Sequence, residues 1–114
     1  MITITIVRNV ERVIIRFTVS GHAFHNDPGK DIVCAGVSAV TIGAVNAIEK
    51  LTGLVPRSYA KSGLLKAEAP QSSDPKRHDQ VQLLLEGMIA ALESIVEEYS
   101  QYVKIQETFV EKGG

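Results

Sequence analysis

The sequence predicts an α+β fold, a two-layer sandwich in which two helices pack on one face of a mixed, mostly antiparallel β-sheet. Three observations carry this reading: two β-branched runs joined by a polar turn at the N-terminus, two long helical patterns, and short strand-like runs between and after them. With 114 residues the chain is a single domain spanning residues 1–114. A domain of that size buries roughly two-thirds of the surface its unfolded chain exposes, so it needs no disulfide or metal to hold a core.

Ile2 to Val7 and Arg12 to Ser20 alternate apolar and polar residues around the turn Arg8-Asn9-Val10-Glu11, the pattern of an antiparallel hairpin. A breaker-rich loop, Ala23 to Gly29, follows, and Asp27-Pro28 offers one cap-plus-proline helix start. Asp31 to Leu51 reads as a helix ending at Gly53. It is apolar or small nearly all the way round, so it has to be covered on more than one side, and a second subunit is a reasonable source of that cover. Gly36 and Gly43 on this helix would permit close approach by another backbone. Ser58 to Lys61 and Leu64 to Ala69 form two short strands around Ser62-Gly63. Asp74-Pro75 then opens a second helix whose stripe is Val81, Leu85, Met88, Leu92, Ile95 and Tyr99, with Glu86, Glu93 and Glu97 on its wet face. Tyr102 to Glu111 closes the chain as a strand.

The formal net charge is −1, and no dense Lys/Arg cluster provides a phosphate-backbone footprint, so no direct nucleic-acid contact is expected. The opening Met1 to Val7 lacks the basic start and small-residue cleavage site of a signal peptide. The longest charge-free run, Ile32 to Ile48, is shorter than the roughly 20 apolar residues a spanning helix requires, so no membrane is expected. One cysteine forms no internal disulfide, and three scattered histidines make no metal site. No cofactor is implied, and the composition fits a reducing, cytoplasmic setting.

The candidate chemistry lies where the second strand meets the first helix. His22 follows that strand and Cys34 falls in the first turn of the helix, bringing a nucleophile and a base to the junction of two rigid elements. A helix end is worth roughly 0.3 to 1 kcal/mol to an anion, too little by itself to hold a thiol ionised near neutral pH. A cationic neighbour is therefore needed, and His22 is the candidate. Asp31 and Ser38 share a helix face with Cys34. Asp31 either orients the imidazole or favours the helix N-terminus by its charge, and Ser38 either bonds within the site or back to its own helix. Gly21 serves an unusual backbone conformation or lets the next loop swing. His25 is a surface residue or a rival base, and His78 an exposed polar residue. The alternative for Cys34 is a small buried hydrophobe.

Gly21-His22-Ala23, the loop with Gly29, and Asp31-Ile32-Val33-Cys34-Ala35-Gly36-Val37-Ser38 together resemble the signature of the ribosomal-processing cysteine protease family, also called Prp or YsxB-like. The resemblance covers essentially the whole chain; Gly36 stands where the family usually has a second alanine. It implies a cytosolic, homodimeric endopeptidase that removes a short N-terminal extension from the large-subunit ribosomal protein numbered twenty-seven. By position it implies Cys34 as nucleophile and His22 as general base, with Asp31, Ser38 and Gly21 in supporting places. It also implies an apolar groove beside Cys34 for an aromatic pair at the cleavage site, and the Asn-Asp-Pro-Gly composition of the loop from Ala23 to Lys30 suggests a flap that orders over bound peptide. Oxyanion donors are expected among backbone N–H groups near the helix start. Two other readings share the residues: a noncatalytic ribosome-associated or assembly module with a structural cysteine, and a thiol hydrolase acting on small molecules in a closed pocket.

Overall fold

The computed structural model describes residues 1–24, 26 and 31–111. Its elements are β1 (Ile2–Asn9), β2 (Ile14–Ser20), α1 (Ile32–Thr52), β3 (Arg57–Lys61), β4 (Leu64–Glu68), α2 (Pro75–Glu98) and β5 (Val103–Val110). The five strands form one sheet in the order β3-β4-β2-β1-β5. All neighbours are antiparallel except β1 and β5, which run parallel, so the sheet is mixed and mostly antiparallel as expected.

Period-two alternation decides which side of the sheet is covered. Ile2, Ile4 and Ile6 are buried with Phe17, Leu65 and Ala67, while Thr3 and Thr5 between them are only partly covered. The same core takes Val33, Val37, Ala44 and Ile48 from α1 and Val81, Leu85, Met88 and Leu92 from α2. Burying a side chain of this size is worth about 1.5 to 3 kcal/mol. Helix termini follow local chemistry. Asp74 caps α2 with Pro75 next, and Gly53, at φ 77°, ends α1 with its N–H donating to Glu49.

β1 runs through Asn9 rather than stopping at Val7, and Arg8 is a buried strand residue rather than part of the turn. Its guanidinium donates twice to the Glu86 carboxylate (2.7 and 2.9 Å), to Glu107 (3.1 Å) and to the Arg12 carbonyl (2.9 Å). Glu86 lies on the exposed face of α2 as expected and also clamps that helix to the sheet. Its carboxyl is held below the usual carboxylate range chiefly by the hydrogen bonds from Arg8, with burial opposing and the charges of Arg8 and Arg12 adding smaller pulls in the same direction as those bonds. Nearby, the β1–β2 register shifts between Val7 and Arg8. The Gln82 amide there accepts from the Ile14 N–H and donates to the Ile14 carbonyl, both at 2.8 Å, standing in for a ladder partner.

α1 has 21 residues, more than the charge-free run indicated, and by length and composition alone it is apolar enough to cross a membrane. One face instead enters the core described above. Its hydroxyls at Thr41 and Thr52 donate to the carbonyls of Val37 and Ile48, so neither is left unpaired. Ile32, Ala35, Ala39, Ile42 and Asn46, spaced alternately by three and four, all lie exposed on the opposite face. The two helix glycines meet no backbone of this chain: a Cβ on Gly36 would touch the Ile95 side chain at 3.7 Å, and one on Gly43 would meet nothing within 4 Å.

Candidate active site

At the end of β2 the chain passes through Gly21, whose φ of 91° and N–H bond to the Gly63 carbonyl (2.9 Å) fix the exit. A Cβ here would collide with the Met1 carbonyl oxygen, so glycine is required by both conformation and space. Next come exposed His22, buried Ala23 and Phe24, the last at φ 59° and 75 % exposed. A bulky residue in the left-handed region is unusual and marks a sharply turned backbone. The turn brings the Ala23 N–H to within 3.4 Å of Cys34 Sγ, to which it donates. Strand exit and helix start thus meet at the sulfur.

Asp31 rather than Asp27 is the N-cap of α1; Asp27 and Pro28 lie outside the described residues. Asp31 Oδ1 accepts from the N–H groups of Val33 (2.9 Å) and Cys34 (3.1 Å), and Oδ2 accepts from Asn26 N–H (3.2 Å). This carboxylate, only 7 % exposed, compensates the helix terminus and ties the preceding loop to it. Two of the helix-start donors expected to serve an oxyanion are therefore engaged, and the donor that faces the sulfur comes from Ala23. Cys34 is a half-buried free thiol on the helix flank, and Ser38, one turn further on, is exposed.

The His22 imidazole lies over the β3–β4 turn. An added Cβ on Gly63 would fall 2.8 Å from His22 Nε2, and the Phe24 ring lies on another side at 5.9 Å between centroids, tilted by 57°. Among the described residues no hydrogen bond joins His22 to Cys34. Imidazole and thiol are brought to the same junction but are not linked in this conformation. Catalytic hydrogen bonds are often long in unliganded enzymes and tighten with substrate.

Phe24, two residues from His22 at the strand exit that meets Cys34, presents an exposed apolar side chain. His25 and residues 27–30, which carry the rival base and most of the expected flap, lie outside the described residues. A cleft of about 900 Å³ opens near the far end of β2, between Arg16, Leu54, Gln71 and His78, away from the strand exit that meets Cys34. It contains no thiol and offers no nucleophile–base pair comparable to Cys34 and His22. His78 sits half-buried at its edge. Among the described residues no cluster of His, Cys, Asp and Glu could hold a metal ion.

The profile of the family described as cysteine protease Prp matches residues 1–104. The chain belongs to this family. The ribosomal processing cysteine protease Prp of Bacillus subtilis is 39% identical to it over 112 residues, covering 96% of this chain and 100% of that protein. Its counterpart from Staphylococcus aureus is 39% identical over 106 residues, 92% of this chain and 97% of that one. The S. aureus protease solved with a covalently linked product peptide superposes with a TM-score of 0.85 at 35% identity, covering 95% of this chain and 100% of that one. The same protease solved with a substrate peptide gives a TM-score of 0.78 at 37% identity, with the same coverage. This Prp family member is a cysteine protease, and the two-helix, five-strand architecture is that of the family's solved structures.

Two features of the junction were hidden in the sequence. The Ala23 N–H is invisible because a backbone donor has no residue signature. Gly63 reads only as a turn glycine, since nothing local indicates that the imidazole lies over it.

Proposed function

We propose that Cys34 is the nucleophile and His22 the general base of an endopeptidase that trims the N-terminal extension of the large-subunit ribosomal protein numbered twenty-seven. The supporting observation is the junction itself: the chain's one thiol, at the start of α1, accepts a hydrogen bond from the residue that follows His22. A peptide covalently linked in the S. aureus relative supports covalent catalysis in the family.

The Cys34 thiolate attacks the scissile carbonyl carbon, and imidazolium at His22 protonates the departing nitrogen as the C–N bond breaks. This leaves a thioester on Cys34. Water then adds to it, giving its proton to His22, and the C–S bond breaks to release the acid. The Ala23 N–H, already at the sulfur, is placed to donate to the oxyanion, whereas Val33 and Cys34 N–H serve Asp31. Asp31 caps the helix that carries the nucleophile, Ser38, exposed one turn beyond Cys34, serves as a hydrogen-bonding group of the site, and Gly21 supports the strand exit that carries the base. Phe24 supplies exposed apolar surface for an aromatic pair.

The protein works as a homodimer in the cytoplasm. The three-four stripe Ile32, Ala35, Ala39, Ile42, Asn46 has the spacing of a helix–helix seam, and its alanines let a second copy of α1 approach closely. Trapping tests the chemistry: brief incubation with peptide, acid quench and peptide mapping should find the acyl group on Cys34. Acylation at another residue, or an equal yield in Cys34→Ala, would exclude this nucleophile.

A further inference from the structure

We infer that Gly63 is a positioning residue for His22, the side-chain-free seat on which the imidazole rests at the strand exit that meets Cys34. This rests on the assignment of His22 and Cys34 above and adds to it a residue from a distant hairpin.

Gly63 lies in the turn between β3 and β4, at φ 74°. Three atoms of the His22 ring crowd the place where its Cβ would be: Nε2 at 2.8 Å, Cδ2 at 3.4 Å and Cε1 at 3.5 Å. The edge of the ring bearing Nε2 therefore rests on the α-carbon of the turn. The seat is tied to the histidine's own backbone, because the Gly63 carbonyl accepts the Gly21 N–H at 2.9 Å. The Phe24 ring lies 5.9 Å from it between centroids. Any side chain at position 63 would have to expel the imidazole or displace the turn, and the turn is pinned by the pairing of Lys61 with Leu64 and of Ser20 with Leu64. The ring would move first, since side-chain rotation is the softer motion. An imidazole displaced from the seat leaves its fixed position at the strand exit whose Ala23 N–H meets Cys34, and misplacement of about 1 Å can cost roughly a hundredfold in rate.

Gly53 provides the matched control. It has a left-handed φ of 77°, like Gly63, but a Cβ there would meet nothing within 4 Å. Gly53→Ala therefore imposes similar backbone strain with no imidazole in the way.

The experiment compares the full-length parent with Gly63→Ala, Gly53→Ala and His22→Ala. It reads the His22 ring proton and carbon NMR signals, the rate of Cys34 alkylation by iodoacetamide, and kcat and KM on a peptide copying the extended N-terminus of ribosomal protein twenty-seven. In Gly63→Ala the His22 signal moves, alkylation slows by roughly tenfold or more, and kcat falls while KM stays within about twofold. Gly53→Ala matches the parent in all three. A His22 signal unmoved in Gly63→Ala, or a moved signal with parental alkylation, overturns the inference. If His22→Ala alkylates as fast as the parent, the base assignment falls and the positioning role with it. If the parent leaves the peptide uncut while alkylation still responds to Gly63→Ala, the substrate assignment fails and the seat stands.

Discussion

Replacing Asp31 separates its two possible roles, because Ala and Asn remove different things. In Asp31→Ala the Val33 and Cys34 N–H groups lose their cap, which typically costs about 1 kcal/mol. The Asn26 N–H also loses a carboxylate acceptor, worth up to roughly another 1 kcal/mol in this partly buried setting. The expected loss is about 2 kcal/mol in urea unfolding, read as a lower midpoint at unchanged slope. Asp31→Asn keeps one carbonyl oxygen for Val33 and Cys34 but turns an amide toward the Asn26 N–H, so about half that loss is expected. Peptide cleavage then discriminates. If Asp31 acts through the helix start, Asp31→Asn retains activity within about tenfold, whereas removing the charge of an imidazole-orienting carboxylate costs roughly 10⁴ in kcat. A loss of that size in a folded Asp31→Asn protein would refute the capping account and restore the orienting one.

Further predictions concern the scaffold and the assembly. Glu86→Gln should destabilise the protein by less than about 1 kcal/mol at neutral pH, since the carboxylate is half-exposed. Because the folded carboxyl lies below the ordinary value of about 4.5, that difference is fully present above pH 4.5 and disappears as pH falls through the folded value; a difference that widens in acid would contradict this sign. Gln82→Ala should cost about 1 to 2 kcal/mol by leaving both Ile14 backbone groups without their partner, and unchanged thermal unfolding would remove the ladder-mimic role. Ile42→Glu on the exposed seam of α1 should give a folded monomer in sedimentation velocity, and a persistent dimer would place the interface elsewhere.

The fold was legible because most of its signals are local. Asp74-Pro75, the Gly53 stop, the Ser62-Gly63 turn and the spacing of Val81, Leu85, Met88 and Leu92 each depend on neighbours within a few residues. Asp31 showed both of its roles in sequence, but only its hydrogen bonds to Val33, Cys34 and Asn26 reveal the cap. Arg8 was misread, and the links of Glu86 to Arg8 and of Gln82 to Ile14 were passed over, because the partners lie far away in the chain, and a charged residue next to a turn looks solvated until a carboxylate from another element reaches it. The same limit applies at the site. His22 and Cys34 stand out as residue types, whereas the Ala23 amide and the Gly63 seat arise only when β2, α1 and the β3–β4 turn meet.

The most direct test of the central claim is mass-spectrometric cleavage of the peptide copying the N-terminal extension of ribosomal protein twenty-seven, with the parent and Cys34→Ala side by side under reducing conditions. The account predicts one cut by the parent and none by Cys34→Ala. Cleavage by both proteins at the same bond would contradict Cys34 as nucleophile, and no cleavage by a folded parent would contradict the substrate.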